Sequence, residues 1–183
     1  KYATEAEIKE AFNTPREMSV FSWQGEIDTV MTPMDSIRYY KSFLRAGFMS
    51  MEPHTGHVKA YVGGPNYHYF QYDMAMMGRR QVGSTIKPFL YTLAMENGFS
   101  PCDLVRHVEY TLLDENGIPW TPRNTSDKFY GENVTIHWGL SNSDNWITAY
   151  LMSKLNPYAF KRLIHSFGVR NQAIVPSVSL CLG

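Results

Sequence analysis

The chain has 183 residues, about one domain by length and enough to bury a core. Its hydrophobic content of 44% and charged content of 19% are those of an ordinary globular protein, and its 17 basic residues balance its 17 acidic ones. Zero net charge implies no nucleic-acid or anionic-surface partner, and 14% aromatic residues argue against disorder and hint at a ring-rich groove. No apolar run approaches the roughly 18 residues of a membrane helix, and no signal peptide is present. The chain begins at Lys1, not Met, and so reads as a piece of a longer protein. Cys102 and Cys181 are far apart without a C-x-x-C spacing, so both are expected to be buried thiols.

In chain order, Thr4-Glu-Ala-Glu7 is a capping-box pattern that opens a short helix, closed by Thr14-Pro15. Met18 to Trp23 and Asp28 to Met31 read as two short strands around Gly25. Thr32-Pro33 starts a second helix, in which Ile37, Tyr40, Phe43 and Leu44 recur at helical spacing until Gly47 ends it. Phe48 to Glu52 and Val58 to Val62 form a predicted hairpin around Pro53-His-Thr-Gly56. An aromatic loop, Tyr67 to Tyr72, could stack on sugar or peptide but is expected to pack over a core.

From Thr85 to Asn97 the sequence is apolar on nearly every side, as in a helix buried mid-protein, with Pro88 tolerated in its first turn. That places Ser84 at the helix mouth. Residues 98 to 133 are rich in turn formers and read as loop with one hairpin around Asn116-Gly117. Thr135 to Leu140, Trp146 to Leu155 and Pro157 to Phe167 read as helices, the first two separated by Ser141 to Asn145.

The chemistry gathers around Gly83-Ser-Thr-Ile-Lys-Pro88. A serine hydroxyl and a lysine amine three residues apart share a helix face, and the amine can take the proton of an otherwise poor nucleophile. Ser-x-x-Lys alone occurs on the order of once by chance in a chain this long. The apolar helix behind Lys87 adds desolvation, which favours the neutral amine. The helix mouth also aims N–H groups at the position of an oxyanion. The bland alternative is a capping serine and a snorkelling lysine. Ser143-Asp144-Asn145 follows 59 residues later in a turn. There a second hydroxyl can pass a proton to a leaving amine, and a carboxamide can hold both the lysine and a substrate amide. By itself Ser-Asp-Asn is an ordinary turn and cap.

In this order the two stretches resemble the penicillin-binding and serine β-lactamase superfamily. Arg79 to Tyr91 is similar to the active-site stretch of class A (bifunctional) penicillin-binding proteins. Phe48 to Gly64 resembles their first transpeptidase hairpin, and Met31 to Lys41 the linker between their glycosyltransferase and transpeptidase domains. The resemblance implies an α+β transpeptidase fold, truncated, with helices on an incomplete antiparallel sheet. Residues 1–31 would be an interdomain linker after a missing glycosyltransferase domain, and 32–183 the N-terminal portion of the transpeptidase domain. It implies Ser84 as acyl-accepting nucleophile, Lys87 as general base, Ser143 as proton relay and Asn145 as holder of Lys87 and the substrate amide. The implied partners are peptidoglycan stem peptides ending in D-Ala-D-Ala and β-lactams. The implied place is the periplasm, outside the inner membrane of a Gram-negative bacterium, in a membrane-anchored parent.

One departure is large: no Lys-Thr-Gly or Lys-Ser-Gly triplet occurs in the 183 residues. In the family that triplet lies on a later strand, which helps bind the substrate carboxylate and gives the second oxyanion donor. Losing one such donor costs about 10²–10³ in rate, so the chain as given is expected to be inactive or nearly so. Without later strands, the Phe48–Val62 hairpin would expose an edge that invites self-association.

A class A β-lactamase needs a carboxylate after Ser-Asp-Asn, yet Trp146 to Gly183 contains no Asp or Glu. A β-lactam sensor, a serine-lysine amidase and a non-catalytic scaffold or partner-binding piece stay open. No cofactor is expected. The six histidines lack metal-ligand spacing, and Asp114 to Gly117 reads as a hairpin turn rather than a calcium loop. Asn124-Thr-Ser126 and Asn133-Val-Thr135 fit the glycosylation sequon, a pattern common by chance.

Overall fold

A computed structural model describes residues 3–183. The chain forms two compact units that meet in sequence at Arg80 and Gln81. It is α+β, with six helices and four two-stranded antiparallel ribbons among the described residues.

The first unit opens with α1 (Glu5–Asn13), whose capping box is complete: Thr4 Oγ1 accepts from Glu7 N–H, and Glu7 reaches back to Thr4 N–H. β1 (Arg16–Ser22) and β2 (Gly25–Met31) pair from Arg16↔Met31 to Ser22↔Gly25. Gly25 takes the positive φ of 122° that this tight reversal demands. α2 (Pro33–Ser42) starts on Thr32 and Pro33 as expected, but it stops at Ser42 and not at Gly47. The reason is tertiary. Phe43 turns extended and places its ring against Phe21, Trp23, Tyr39 and Phe70. Edge-on aromatic pairs of this kind add about 0.5–1.5 kcal/mol each beyond area burial, enough to outweigh another helical turn.

The Tyr67–Tyr72 loop feeds the same cluster. Phe70 is buried against Phe21 and Tyr40, and Tyr69 stacks on Tyr40, whereas Tyr67 stays exposed. β3 (Phe48–Met51) and β4 (Val58–Val62) form the expected hairpin with an irregularity at Ser50/Met51. Phe48, Met49, Met51, Val58, Tyr61 and Val62 on it are all exposed.

The second unit holds one hydrophobic core, built on α3 (Lys87–Glu96). Leu90 and Ala94 are fully buried there, and Tyr91 and Leu93 nearly so, as an all-round apolar helix requires. α4 (Ile136–Ser141), α5 (Asn145–Lys154) and α6 (Pro157–Ser166) pack around it. α5 is inaccessible on most sides, with Ile147, Thr148, Ala149 and Leu151 at 0% exposure, and α6 contributes Phe160.

Two short ribbons flank these helices. β6 (Leu112–Leu113) and β7 (Pro119–Trp120) form the hairpin expected around Asn116-Gly117. Its turn is held by Asp114 Oδ1, which accepts from Asn116 and Ile118 N–H. β5 (Leu104–Arg106), inside the stretch read as loop, pairs with β8 (Asn133–Thr135), which runs from the end of that stretch to the Thr135 expected to start a helix. Three residues a side carry no periodicity of their own, so only the pairing partner reveals this ribbon. Cys181 is buried as expected, but Cys102 lies on the surface in the turn before β5 and corrects that expectation.

Candidate active site

Ser84 and Lys87 do not begin one α-helix. Residues Gly83–Ile86 form a 3₁₀ turn that runs into α3, and Lys87 N–H donates to the Ser84 carbonyl. A 3₁₀ turn has three residues per turn, so the side chains at i and i+3 eclipse and share a face more closely than α geometry allows. Gly83 enters the turn at φ +56°, and a Cβ on it would meet nothing within 4 Å. Its left-handed backbone, not crowding, is what favours glycine there. The turn leaves Ser84 exposed while Lys87 is 1% exposed.

The amine of Lys87 reaches the turn between α4 and α5. Its Nζ donates to the Ser143 carbonyl at 2.5 Å and to Asn145 Oδ1 at 2.6 Å, and lies 3.1 Å from Ser143 Oγ. Four residues singled out in the sequence therefore divide in two. Lys87, Ser143 and Asn145 are in direct contact; the Ser84 hydroxyl has no hydrogen-bond partner among the described residues and faces outward one turn away. Burial strips water from the Lys87 ammonium and pushes its pKa below the ordinary lysine value, against the opposing pull of the Asp144 carboxylate. A buried amine with a lowered pKa can accept a proton, and its partners among the described residues are Ser143 and Asn145 rather than Ser84.

The turn itself is unusual. Ser143 has φ +52°, a left-handed conformation that a serine takes only at a cost. Backbone bonds from Asn142 to Trp138, Ser143 to Leu140 and Asp144 to Gly139 hold it. Asp144 caps α5 through Oδ1 to Ile147 N–H at 2.9 Å. Close packing of α4 on α5 is possible only because residue 139 is glycine: a Cβ there would lie 2.6 Å from Ile147 Cγ2.

Two further residues join this network that the sequence had not marked for it. His107 Nε2 lies 2.8 Å from Asp144 Oδ2, both side chains buried, and Asn124 Nδ2 donates to the same oxygen at 2.6 Å. Asn124 stood out only as a sequon, and His107 only as a histidine without metal spacing. No local signal could have found them, since 37 residues separate His107 from Asp144 and 20 separate Asn124 from it. No group of three His, Cys, Asp or Glu able to hold a metal ion is present among the described residues.

Comparison with known proteins fits this constellation. Residues 46–176 match the penicillin binding protein transpeptidase domain family, and residues 1–44 match the penicillin-binding protein middle domain. The chain belongs to the penicillin-binding protein transpeptidase family. Penicillin-binding protein 1A of Neisseria meningitidis is 32% identical over 142 residues, covering 76% of this chain and 18% of that protein. Penicillin-binding protein 1A of Escherichia coli is 32% identical over 141 residues, covering 76% of this chain and 16% of that protein. The crystal structure of penicillin-binding protein 1A from Haemophilus influenzae superposes with a TM-score of 0.70 at 26% identity, covering 76% of this chain and 21% of that one. The chain thus spans about a fifth of the length of these relatives. Among the described residues no helix is long and apolar enough to cross a membrane.

Proposed function

We propose that this chain carries the acyl-transfer residues of a peptidoglycan D-Ala-D-Ala transpeptidase that works through a serine acyl-enzyme. The observation that carries the reading is the buried Lys87 amine, held by Ser143 and Asn145 one 3₁₀ turn from the exposed Ser84 hydroxyl. In the first step Ser84 Oγ attacks the carbonyl of the penultimate D-Ala and its proton passes to Lys87. The C–N bond to the terminal D-Ala then breaks, and the proton reaches the leaving amine through Ser143. In the second step an acceptor amine attacks the Ser84 ester and the serine recovers its proton. Asn145 keeps the Lys87 amine in place with its Oδ1 and offers its amide to the substrate backbone. A β-lactam would acylate the same serine and stop there.

The parent protein in this reading is a bifunctional, membrane-anchored enzyme of the Gram-negative periplasm. The first 31 residues serve as its interdomain linker and residues 32–183 as the start of its transpeptidase domain. The exposed apolar hairpin β3–β4 then supports self-association of the isolated chain, checked by sedimentation across a concentration series.

Labelling with fluorescent penicillin, followed by mass analysis of the Ser84 peptide, tests the chemistry. The 183 residues contain no Lys-Thr-Gly or Lys-Ser-Gly, so labelling is expected to be weak for this chain and full for a longer one that includes the triplet. Ser84→Ala abolishes it, and Lys87→Ala slows it by about 10²–10⁴. Undiminished labelling of Ser84→Ala would sink the proposal.

A further inference from the structure

The turn that holds Lys87 is read by a segment far from it in sequence. Pro122, Arg123 and Asn124 lie along the start of α5 and bond to consecutive residues of it. The Pro122 carbonyl accepts from Trp146 Nε1 at 3.1 Å, and the Arg123 carbonyl accepts from Asn145 Nδ2 at 2.7 Å. Asn124 Oδ1 accepts from the Asn145 backbone N–H at 3.1 Å, one of the donors a helix N-terminus leaves unpaired.

The Arg123 contact has a direct chemical consequence. A carbonyl can only accept, so it takes the NH₂ end of the Asn145 amide and leaves Oδ1 to face Lys87. The Asp144 side chain accepts from Asn124 and from the Ile147 N–H, and its Oδ2 lies 2.8 Å from His107 Nε2. Opposite an ionised Asp144, His107 Nε2 is the donor of this 2.8 Å contact. Its ring is wedged against Trp138 and Trp146, and its Nδ1 is buried without a partner among the described residues. A buried polar atom left unpaired is costly. The fold tolerates it here while Nε2 is committed to Asp144.

We propose that Asn124 and His107 are positioning residues: by clamping Asp144 and the Asn145 backbone, they fix the turn whose oxygens hold the Lys87 amine. The catalytic meaning of this rests on the reading of Lys87 as general base. The left-handed Ser143 supplies the need, because a strained residue keeps its conformation only where its surroundings over-determine it. Release of Asn124 lets the turn relax, carries the Ser143 and Asn145 oxygens away from Nζ and admits water to it.

The test reads Lys87 directly. Protein labelled with ¹³Cε-lysine is titrated by NMR, the Lys87 signal being assigned with Lys87→Arg. Asn124→Ala and His107→Ala are expected to move the Lys87 midpoint up toward the ordinary lysine value, by about one pH unit. Asn124→Ser keeps a cap for the Asn145 N–H and His107→Gln keeps a donor to Asp144, so both are expected to shift it less. These milder variants also serve if an alanine variant does not fold. A lowered thermal midpoint in all four with the Lys87 titration unmoved would show a merely structural role and overturn the proposal.

Ser84 acylation by penicillin, followed in parallel in the longer chain that includes the triplet, separates this from the acyl-transfer reading. If Lys87 responds to Asn124 but Ser84 never acylates, positioning stands and acyl transfer falls. If Ser84 acylates at the same rate in all four variants while Lys87 is unmoved, positioning alone falls.

Discussion

Lys87 puts a long, ionisable side chain where 1% of it meets water, and the three oxygens around Nζ only partly offset the lost hydration. Its pKa in the fold lies below the unfolded value of 10.5. Between those two values the unfolded chain binds more protons at this position, so Lys87's contribution to stability rises with pH across that window. In the proposed mechanism acylation of Ser84 follows the same group: the rate is expected to climb with pH and level off below 10.5, at Lys87's own pKa. A profile flat through that range would show that Lys87 is not the base.

The two cysteines provide a second check at this scale. Burial pushes the Cys181 thiol up to about 12, whereas Cys102 is exposed. A thiol reagent at pH 8 is expected to modify Cys102 alone in the native protein and both residues in denaturant. Fast native labelling of Cys181 would contradict its burial. The sequence marks Ser84, Lys87, Ser143 and Asn145 because their chemistry is written in short spacings. It does not mark Asn124 or His107 for the site, because their partners in the turn, Asp144 for both and Asn145 for Asn124, are distant along the chain.

At the scale of elements, caps and breakers set most boundaries. Thr4, Thr32, Thr135, Asp144 and Asn156 each accept from an N–H in the first turn of the helix that follows. Where the expectation slips, packing had overridden local preference. Phe43 leaves α2 for its aromatic neighbours, and β5 exists only through its pairing with β8.

The contact of α4 with α5 is the most sensitive joint, since Gly139 has no room for a methyl group. Gly139→Ala must displace Ile147, whose Cβ would be 2.8 Å away. It is expected to cost about 1–3 kcal/mol in denaturant unfolding. The same shift should disturb the adjoining Ser143 turn and slow acylation. Unchanged stability would mean that the two helices separate freely.

For the molecule as a whole, each unit has its own apolar cluster: aromatic rings in the first, and the α3-centred core in the second. Arg79 and Arg80 at the junction are exposed and outside any helix or strand. Brief trypsin treatment is expected to cut there early and leave a piece starting at Gln81 with its helical circular dichroism intact. Collapse of that signal on cutting would show that the second unit cannot hold its core alone.

The resemblance to the family and the four candidate site residues are legible in the sequence by itself, because the motifs that carry them are short, local stretches. Only the tertiary structure decided that Ser84 lies in a 3₁₀ turn, that Lys87 hydrogen-bonds to the turn between α4 and α5, and that residues 122–124 and His107 bear on that turn. The last two outcomes depend on contacts between residues 20 to 58 positions apart, and no pattern along the chain encodes such a distance.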